Sequence, residues 1–164
     1  MSASGCGYSL SGRGSFLPSY IKTIGVPSFT NHTNVFNFET QLTQKVRSEF
    51  IGRGKYQIVP DDTGVDAVLI GDIVSATVVP VSLTTTGLQS GAAVTVTANV
   101  QLKSLRDNTI IWQNAALSIR EQYDTQNATN ATDPSAFFAQ NATALDRLSS
   151  NFARTIVSGI LEAF

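Results

Sequence analysis

The chain has 164 residues, a length that fits one domain and allows a substantial buried core. Its hydrophobic content of 42% excludes a disordered polar chain, and its net charge of −1 excludes the basic excess that drives nucleic-acid binding. Charged residues make up only 14% of the chain, so Ser, Thr, Asn and Gln must provide most of the polar surface. No apolar run approaches the roughly 20 residues that a membrane-spanning helix needs.

The first 19 residues contain the only cysteine, Cys6, directly after the small residues Ala3-Ser4-Gly5. A small-residue run that ends in Gly-Cys resembles the end of a bacterial lipobox, in which the cysteine becomes the lipid-bearing residue. The alternative is a free terminal thiol without a role. Residues 7–19 are rich in Gly and Ser and predict an irregular tether. We therefore expect a lipobox remnant and tether over residues 1–19 and a single domain over residues 20–164.

The first elements that the pattern predicts are a strand and an amphipathic helix. Residues 20–26 contain β-branched side chains and stop at Pro27, which indicates a strand, and residues 28–34 indicate a polar loop. Asn37 is then the expected N-cap of a helix that ends at Gly52 and Gly54. The apolar stripe of this helix recurs at every fourth position, as Phe38, Leu42, Val46 and Phe50.

Residues 56–59 predict a short strand that Pro60 closes, and residues 67–79 predict a long one. The long strand begins with four apolar residues in a row, so we expect it to lie centrally in a sheet. Gly71 within it predicts a bulge or a close approach of another group. Pro80 predicts either the end of regular pairing or a sheet edge.

A long antiparallel hairpin follows in the sequence. Its first strand alternates apolar residues with Thr95, Thr97, Asn99, Gln101 and Lys103, so that one face is apolar and the other is wet. Residues 106–108 predict a turn, and residues 110–123 predict the returning strand. The polar face is therefore left for solvent or for a partner.

The C-terminal region predicts a second helix. Asp133 is the expected N-cap and Pro134 the first helical residue, and an apolar helical period then continues to Phe164, which predicts a helix approaching 30 residues. The complete pattern predicts an α+β fold. We expect a two-layer sandwich, with two amphipathic helices packed on one face of a mostly antiparallel, mixed sheet of four or five strands.

The residues that carry common enzyme chemistry are sparse. His32 is the only histidine and falls in a predicted loop, so a zinc or copper site is not expected, and nothing in the sequence places Ser28 and an aspartate beside it as a triad. Asp61 and Asp62 lie in a Pro-containing turn, where solvated carboxylates are the expectation. We predict a protein that is not an enzyme and that needs no cofactor.

Several segments, spread along the chain in order, resemble the LptE family of lipopolysaccharide-assembly lipoproteins. The residues after the lipobox resemble its CGYxLxG opening, as Cys6-Gly7-Tyr8-Ser9-Leu10-Ser11-Gly12. Residues 21–29 are similar to its first strand, and residues 66–73 are similar to its ADAVLxGxI strand. A later strand with the pattern W-x-N and R-E-x-Y is matched by residues 112–114 and 120–123.

This resemblance implies a function in the Gram-negative outer membrane. Members of the family are lipid-anchored on the periplasmic side, plug the lumen of the LptD β-barrel in a one-to-one complex and help insert lipopolysaccharide into the outer leaflet. The family fold of two helices on a mostly four-stranded sheet agrees with the pattern above. The alternative is a periplasmic lipoprotein that regulates another envelope machine, such as a cell-wall synthase activator or a secretion pilotin.

Three sets of site residues follow as expectations. Cys6 is the expected lipid attachment site. Lipopolysaccharide is anionic, so its contacts are expected at cations of the hairpin, namely Lys103, Arg106 and Arg120. The small, polar loop before the hairpin is expected to contact the barrel partner through Thr85, Thr86, Gly87, Leu88 and Gln89; the alternative is an ordinary hairpin loop without a partner.

Overall fold

The computed structural model describes residues 17–53, 55–82, 90–124 and 133–163, which contain six strands and three helices. In chain order these elements are β1 (Thr23–Gly25), β2 (Thr30–Asn31), α1 (Phe38–Arg53), β3 (Gln57–Val59), β4 (Ala67–Ser82), β5 (Ser90–Ser104), β6 (Thr109–Asp124), α2 (Pro134–Gln140) and α3 (Ala142–Glu162).

The strands form one mixed sheet in the order β3-β1-β4-β5-β6, with β2 also paired to β4. The pairs β4–β5 and β5–β6 are antiparallel and account for most of the ladder, whereas β1, β2 and β3 pair in parallel. This arrangement confirms the predicted α+β class, the mostly antiparallel sheet and the inner position of β4. The strand beyond the five predicted ones is β2, which has two residues opposite Asp72 and Ile73.

The helices cover one face of the sheet, and the alternation in β5 determines which side chains they cover. Val94, Val96, Ala98, Val100 and Leu102 are fully buried, while the Thr, Asn, Gln and Lys residues between them remain partly exposed on the other face. Trp112 lies opposite Leu102 on β6, is partly buried and packs against the core near Gly159 of α3. Trp112 is therefore a residue of the core boundary.

Strand β4 contains both features that Gly71 and Pro80 predicted. A side chain at Gly71 would meet the ring of Phe29, which confirms a close approach, and the bulge lies three residues further on, between Ile73 and Ser75. Pro80 pairs with Ala92 of β5 on one side of β4. On the other side of β4, the pairing with β2 ends at Ile73, well before Pro80. Proline is tolerated at such an edge because no ladder hydrogen bond needs its missing N–H.

Helix α1 spans the predicted apolar stripe, and its buried residues include all four members of that stripe. Asn37 precedes it, but with φ of 66°, in the left-handed region rather than the extended conformation of a typical N-cap. The helix is joined to its surroundings by Arg47, whose Nε donates to the Val26 carbonyl at 2.9 Å, and by Arg53, which donates to Ser158 Oγ at 2.7 Å.

The prediction of one C-terminal helix approaching 30 residues is wrong. The segment is divided at Asn141 into α2 and α3, although Asp133 caps the first helix as predicted by accepting from the Ser135 N–H. Asn141 has φ of −132° and ψ of 65°, and its side-chain Nδ2 donates to the Phe137 carbonyl at 2.8 Å. A short polar side chain that bonds the preceding turn competes with the helical ladder, which explains the break.

Candidate functional site

The sheet face that the helices leave uncovered forms a broad polar surface, called here the open face. On β5 it presents Thr95, Thr97, Asn99 and Gln101, and cross-strand neighbours continue it on β4 and β6. The Thr97 and Ser118 hydroxyls lie 2.8 Å apart across the ladder, and Gln113 Nε2 lies 3.5 Å from Gln101 Oε1. Neutral donors and acceptors therefore line the β5–β6 part of the open face, and Asp72 of β4, directly opposite Asn99, adds a carboxylate.

The open face bends at Asn99. The β4 bulge and an irregularity in β6 both lie within two residues of Asn99 in the register of β5. Bulges bend a strand and increase its twist, so two of them at one level curve the sheet there. The Oδ1 atom of Asn99 is shielded from solvent and has no hydrogen-bond partner among the described residues. The bend thus contains a buried acceptor oxygen that no described residue satisfies.

The three predicted lipopolysaccharide-binding cations do not lie together. Lys103 is on the open face opposite Ile110, and Arg106 is in the turn, with its guanidinium carbon 4.6 Å from the centroid of the Tyr20 ring. Arg120 of β6 lies on the open face opposite Thr95. In β5, Thr95 precedes Lys103 by eight residues. At about 3.3 Å per residue, Arg120 is roughly 27 Å from Lys103 along the hairpin. The fold brings Lys103 and Arg106 to one end and places Arg120 towards the other.

The other two predicted sites, Cys6 and the loop from Thr85 to Gln89, lie outside the described residues. They therefore stay predictions. The strands that lead into and out of this loop are described, and Ser82 and Ser90 pair with each other where β4 ends and β5 begins.

A polar cluster between β6 and α3 was not expected from the sequence. Glu121 accepts from Tyr123 Oη at 3.1 Å and from the side-chain amide of Asn151, and Arg147 lies 4.5 Å from the centroid of the Tyr123 ring. Burial and the neighbouring Glu121 carboxylate raise the pKa of Tyr123. The alternation of side chains along β6 is the sequence signal for this cluster. It places Glu121 on the core-facing side of the strand, together with Ile119 and Tyr123. The cluster attaches α3 to the hairpin.

The described residues do not assemble the enzyme-like constellations considered above. The carboxylate that His32 approaches is Asp72, with Nε2 and Oδ1 3.9 Å apart, and both side chains are largely exposed. Within the described ranges, no three His, Cys, Asp or Glu side chains are grouped as metal ligands. None of the described helices combines the length and the apolar character needed to cross a bilayer.

The described residues form a small α+β domain in which helices cover one sheet face and leave the other open. More specifically, residues 21–160 match the LptE family, described as lipopolysaccharide-assembly, and the chain belongs to this family. It is therefore an envelope-associated lipopolysaccharide-assembly lipoprotein of a non-catalytic family. No curated protein sequence matches the chain.

Solved structures that are similar to this chain are distant from it in sequence. A PelC dodecamer from Paraburkholderia phytofirmans is 10% identical with a TM-score of 0.50, covering 88% of this chain and 92% of that one. A hypothetical protein from Chlamydia trachomatis is 9% identical with a TM-score of 0.50, covering 85% and 98%. Rare lipoprotein B from Shewanella oneidensis is 15% identical with a TM-score of 0.42, covering 84% and 95%. At such identities the first two likenesses show the fold alone.

Proposed function

We propose that this protein is an outer-membrane lipoprotein that plugs the LptD β-barrel and assists the insertion of lipopolysaccharide into the outer leaflet. The observation that carries the proposal is the family match over residues 21–160, nearly the whole of the folded domain. The function requires a surface that fits a hydrated barrel lumen, an anchor at the membrane and groups that meet an anionic glycolipid.

The open face supports the fit to a lumen. A domain inside a water-filled barrel needs many hydrogen-bonding groups and few charges, because each charge that loses its water must find a partner. The β5 part of the open face consists of neutral hydroxyl and amide side chains, of which Thr97, Asn99 and Gln101 are the clearest, and Asp72 of β4 adds one carboxylate opposite Asn99. The loop from Thr85 to Gln89 would add contacts to the barrel wall beyond the end of β5.

The anchor in this proposal is Cys6, with residues 1–19 as the lipobox remnant and tether and residues 20–164 as the family domain. A single acyl chain binds a membrane only weakly, whereas two chains hold a protein there stably. A lipoprotein cysteine carries two or three chains, enough to hold the domain at the membrane.

The groups proposed to meet lipopolysaccharide are Lys103, Arg106 and Arg120. Guanidinium and ammonium groups form charge-assisted hydrogen bonds with phosphate, and such bonds are stronger than neutral ones. The fold places these cations at two separate positions on the hairpin, so they would contact two different parts of one large glycolipid or two molecules.

Co-purification with the native barrel tests the proposal directly. Affinity-tagged chain should capture its cognate LptD from solubilised outer membranes in a one-to-one complex, and depletion of the chain should reduce lipopolysaccharide export. A protein that remains monomeric beside its cognate LptD, with normal export after depletion, would contradict the proposed function.

A Cys6→Ser variant separates anchoring from barrel binding. We expect this variant to leave the membrane fraction when expressed without LptD, yet to bind LptD in detergent, because the anchor and the domain surface are different parts of the chain. Membrane association that is unchanged in Cys6→Ser without LptD would exclude Cys6 as the lipid-bearing residue.

A further inference from the structure

A cleft at the start of α1 is lined by residues that have no part in the proposed function. It has a volume of about 540 Å³ and is lined by side chains and backbone between residues 31 and 39. This volume lies within the range of small-molecule sites in proteins. The most exposed large apolar side chain of the described structure, Phe36 at 88% exposure, forms part of its wall.

We propose that this cleft binds an uncharged pyranose sugar, which stacks on the ring of Phe36 and hydrogen-bonds to the side chains beside it. One face of a pyranose presents C–H groups, and these fit the electron-rich face of an aromatic ring. The hydroxyl groups at the edge of the sugar need both donors and acceptors. The amides of Asn34 and Asn37, both exposed at the cleft, supply donors and acceptors, and Glu39 supplies an acceptor.

The charge of the cleft favours a neutral ligand over a phosphate. Glu39 is the only charged residue among those that line it, and the Asn34 side chain is held 2.8 Å from the carboxylate of Asp133. Both charges are negative, and no Lys or Arg belongs to the lining. A phosphate group would therefore be repelled, which separates this cleft from the cationic contacts proposed for lipopolysaccharide on the hairpin.

Hydrogen bonds within the loop hold the wall of the cleft in place. Asn31 donates to the Val35 carbonyl at 2.8 Å and to Glu39 at 3.1 Å, and its own oxygen accepts from the Thr33 N–H at 2.9 Å. Val35 and Phe38, on either side of the exposed ring, are buried in the core. A loop fixed in this way loses little conformational entropy when a ligand binds, so even a shallow site can have useful affinity.

The test uses the isolated full chain and two neutral saccharides. Maltotriose serves as a general pyranose probe, and lipid-free, dephosphorylated oligosaccharide released from lipopolysaccharide serves as the second. We expect saturation-transfer NMR to show millimolar binding. Binding of both indicates recognition of a generic pyranose, and binding of the second alone identifies the sugar part of lipopolysaccharide as the source; either result supports the proposal.

Three variants connect the binding to the cleft. Phe36→Ala should weaken saccharide binding by about fivefold, since stacking on one ring contributes on the order of 1 kcal/mol. Phe36→Tyr should retain it because an aromatic ring is kept. Asn37→Gly removes one amide yet tolerates φ of 66°, and it should weaken binding severalfold without unfolding the loop.

Ile51→Ala is the matched control, because Ile51 is an exposed apolar residue of α1, at 60% exposure, that does not line the cleft. Binding should be unchanged in this variant. Absence of binding by both saccharides, or equal binding by Phe36→Ala and wild type, would overturn the proposal. Loss of LptD capture by Phe36→Ala without any saccharide binding would also overturn it and would assign the ring to a protein contact. Saccharide binding requires no barrel, so its failure would leave the proposed function untouched.

Discussion

Gly71 shows how closely single residues fit in this fold. A Cβ built at Gly71 lies 2.6 Å from Cδ2 and 2.7 Å from Cζ of Phe29, a side chain that is itself buried. We expect Gly71→Ala to lower the free energy of unfolding by about 1–3 kcal/mol, the usual cost of overpacking a core. Urea denaturation of wild type and variant measures this difference.

Gly52 in α1 provides the control, since a Cβ there meets nothing within 4 Å. Gly52→Ala should raise the free energy of unfolding by about 0.5–1 kcal/mol, because alanine has the higher helix propensity. Equal stability of Gly71→Ala and wild type would mean that the ring of Phe29 can move away from β4 without cost.

Asp66 makes the stability of the fold depend on pH. Its carboxylate accepts from the backbone N–H groups of Lys22 at 2.9 Å and Thr23 at 3.0 Å, and these bonds lower the pKa of Asp66. A lowered folded-state pKa contributes stability above the unfolded-state value and loses it as the pH falls through the folded-state value. The window therefore lies below about pH 4.

We expect Asp66→Ala to cost about 1–2 kcal/mol at neutral pH, because two charge-assisted bonds are lost at a partly exposed site. The difference from wild type should shrink as the pH is lowered from 5 towards 2 (about the range of carboxylate titration), as measured by denaturation at each pH. Asp66→Asn, which keeps an acceptor oxygen without the charge, should remove the pH dependence and part of the stability. A difference that is constant with pH would show that the charge is not responsible.

At the scale of elements, the free energy of unfolding should respond differently to substitutions of similar size on the two faces of β5. Val96→Thr places a hydroxyl in the fully buried face and should cost about 1–3 kcal/mol. Thr95→Val, on the open face, should change stability by less than about 0.5 kcal/mol. Thermal or urea unfolding of both variants compares the faces directly, and equal losses would mean that the open face is as tightly packed as the core.

The sequence predicts elements well where local pattern and final packing agree. Alternation in β5 is a direct consequence of a sheet covered on one side, so the hairpin and its buried residues follow from it. The break at Asn141 does not follow, because the apolar helical period continues through it and the deciding interaction is one side-chain bond to Phe137. Strand β2 could not be predicted, since its two residues are extended only through pairing with distant Asp72 and Ile73.

At the scale of the whole molecule, the separation of the hairpin cations makes a prediction about lipopolysaccharide binding. The double variant Lys103→Ala with Arg106→Ala and the single variant Arg120→Ala alter positions roughly 27 Å apart. If both contact lipopolysaccharide, their losses in binding free energy should add to within about 0.5 kcal/mol in the triple variant.

A binding assay with purified lipopolysaccharide at fixed ionic strength measures these losses. Lys45→Ala is the control, because Lys45 pairs with Asp146 between α1 and α3, at 3.0 Å, away from the hairpin. Unchanged binding in the triple variant would exclude all three cations. Strongly non-additive losses would contradict the prediction of two separate contacts, because they would mean that all three cations act on one group.

The candidate site is less predictable than the fold, for a geometric reason. Lys103, Arg106 and Arg120 are close in sequence, but a hairpin doubles back, so positions on opposite strands meet only where the register pairs them. The cleft at Phe36 was missed because its residues lie in a predicted polar loop, where exposure of one aromatic side chain depends on the buried neighbours Val35 and Phe38.

The bonds of Leu17 and Tyr20 show at which end of the sheet the chain enters the domain. Leu17 donates to Tyr56, and Tyr20 bonds Ser104, so the chain enters the fold beside the turn between β5 and β6. The opposite pole, where β4 ends at Ser82, is roughly 45 Å away along the strands. With Cys6 as the anchor, the eleven residue steps to Leu17 can extend at most about 38 Å. Under the proposed lipid attachment, the end of the sheet near Leu17 would therefore stay close to the lipid headgroups, and the end near Ser82 would be the one able to lie far from them.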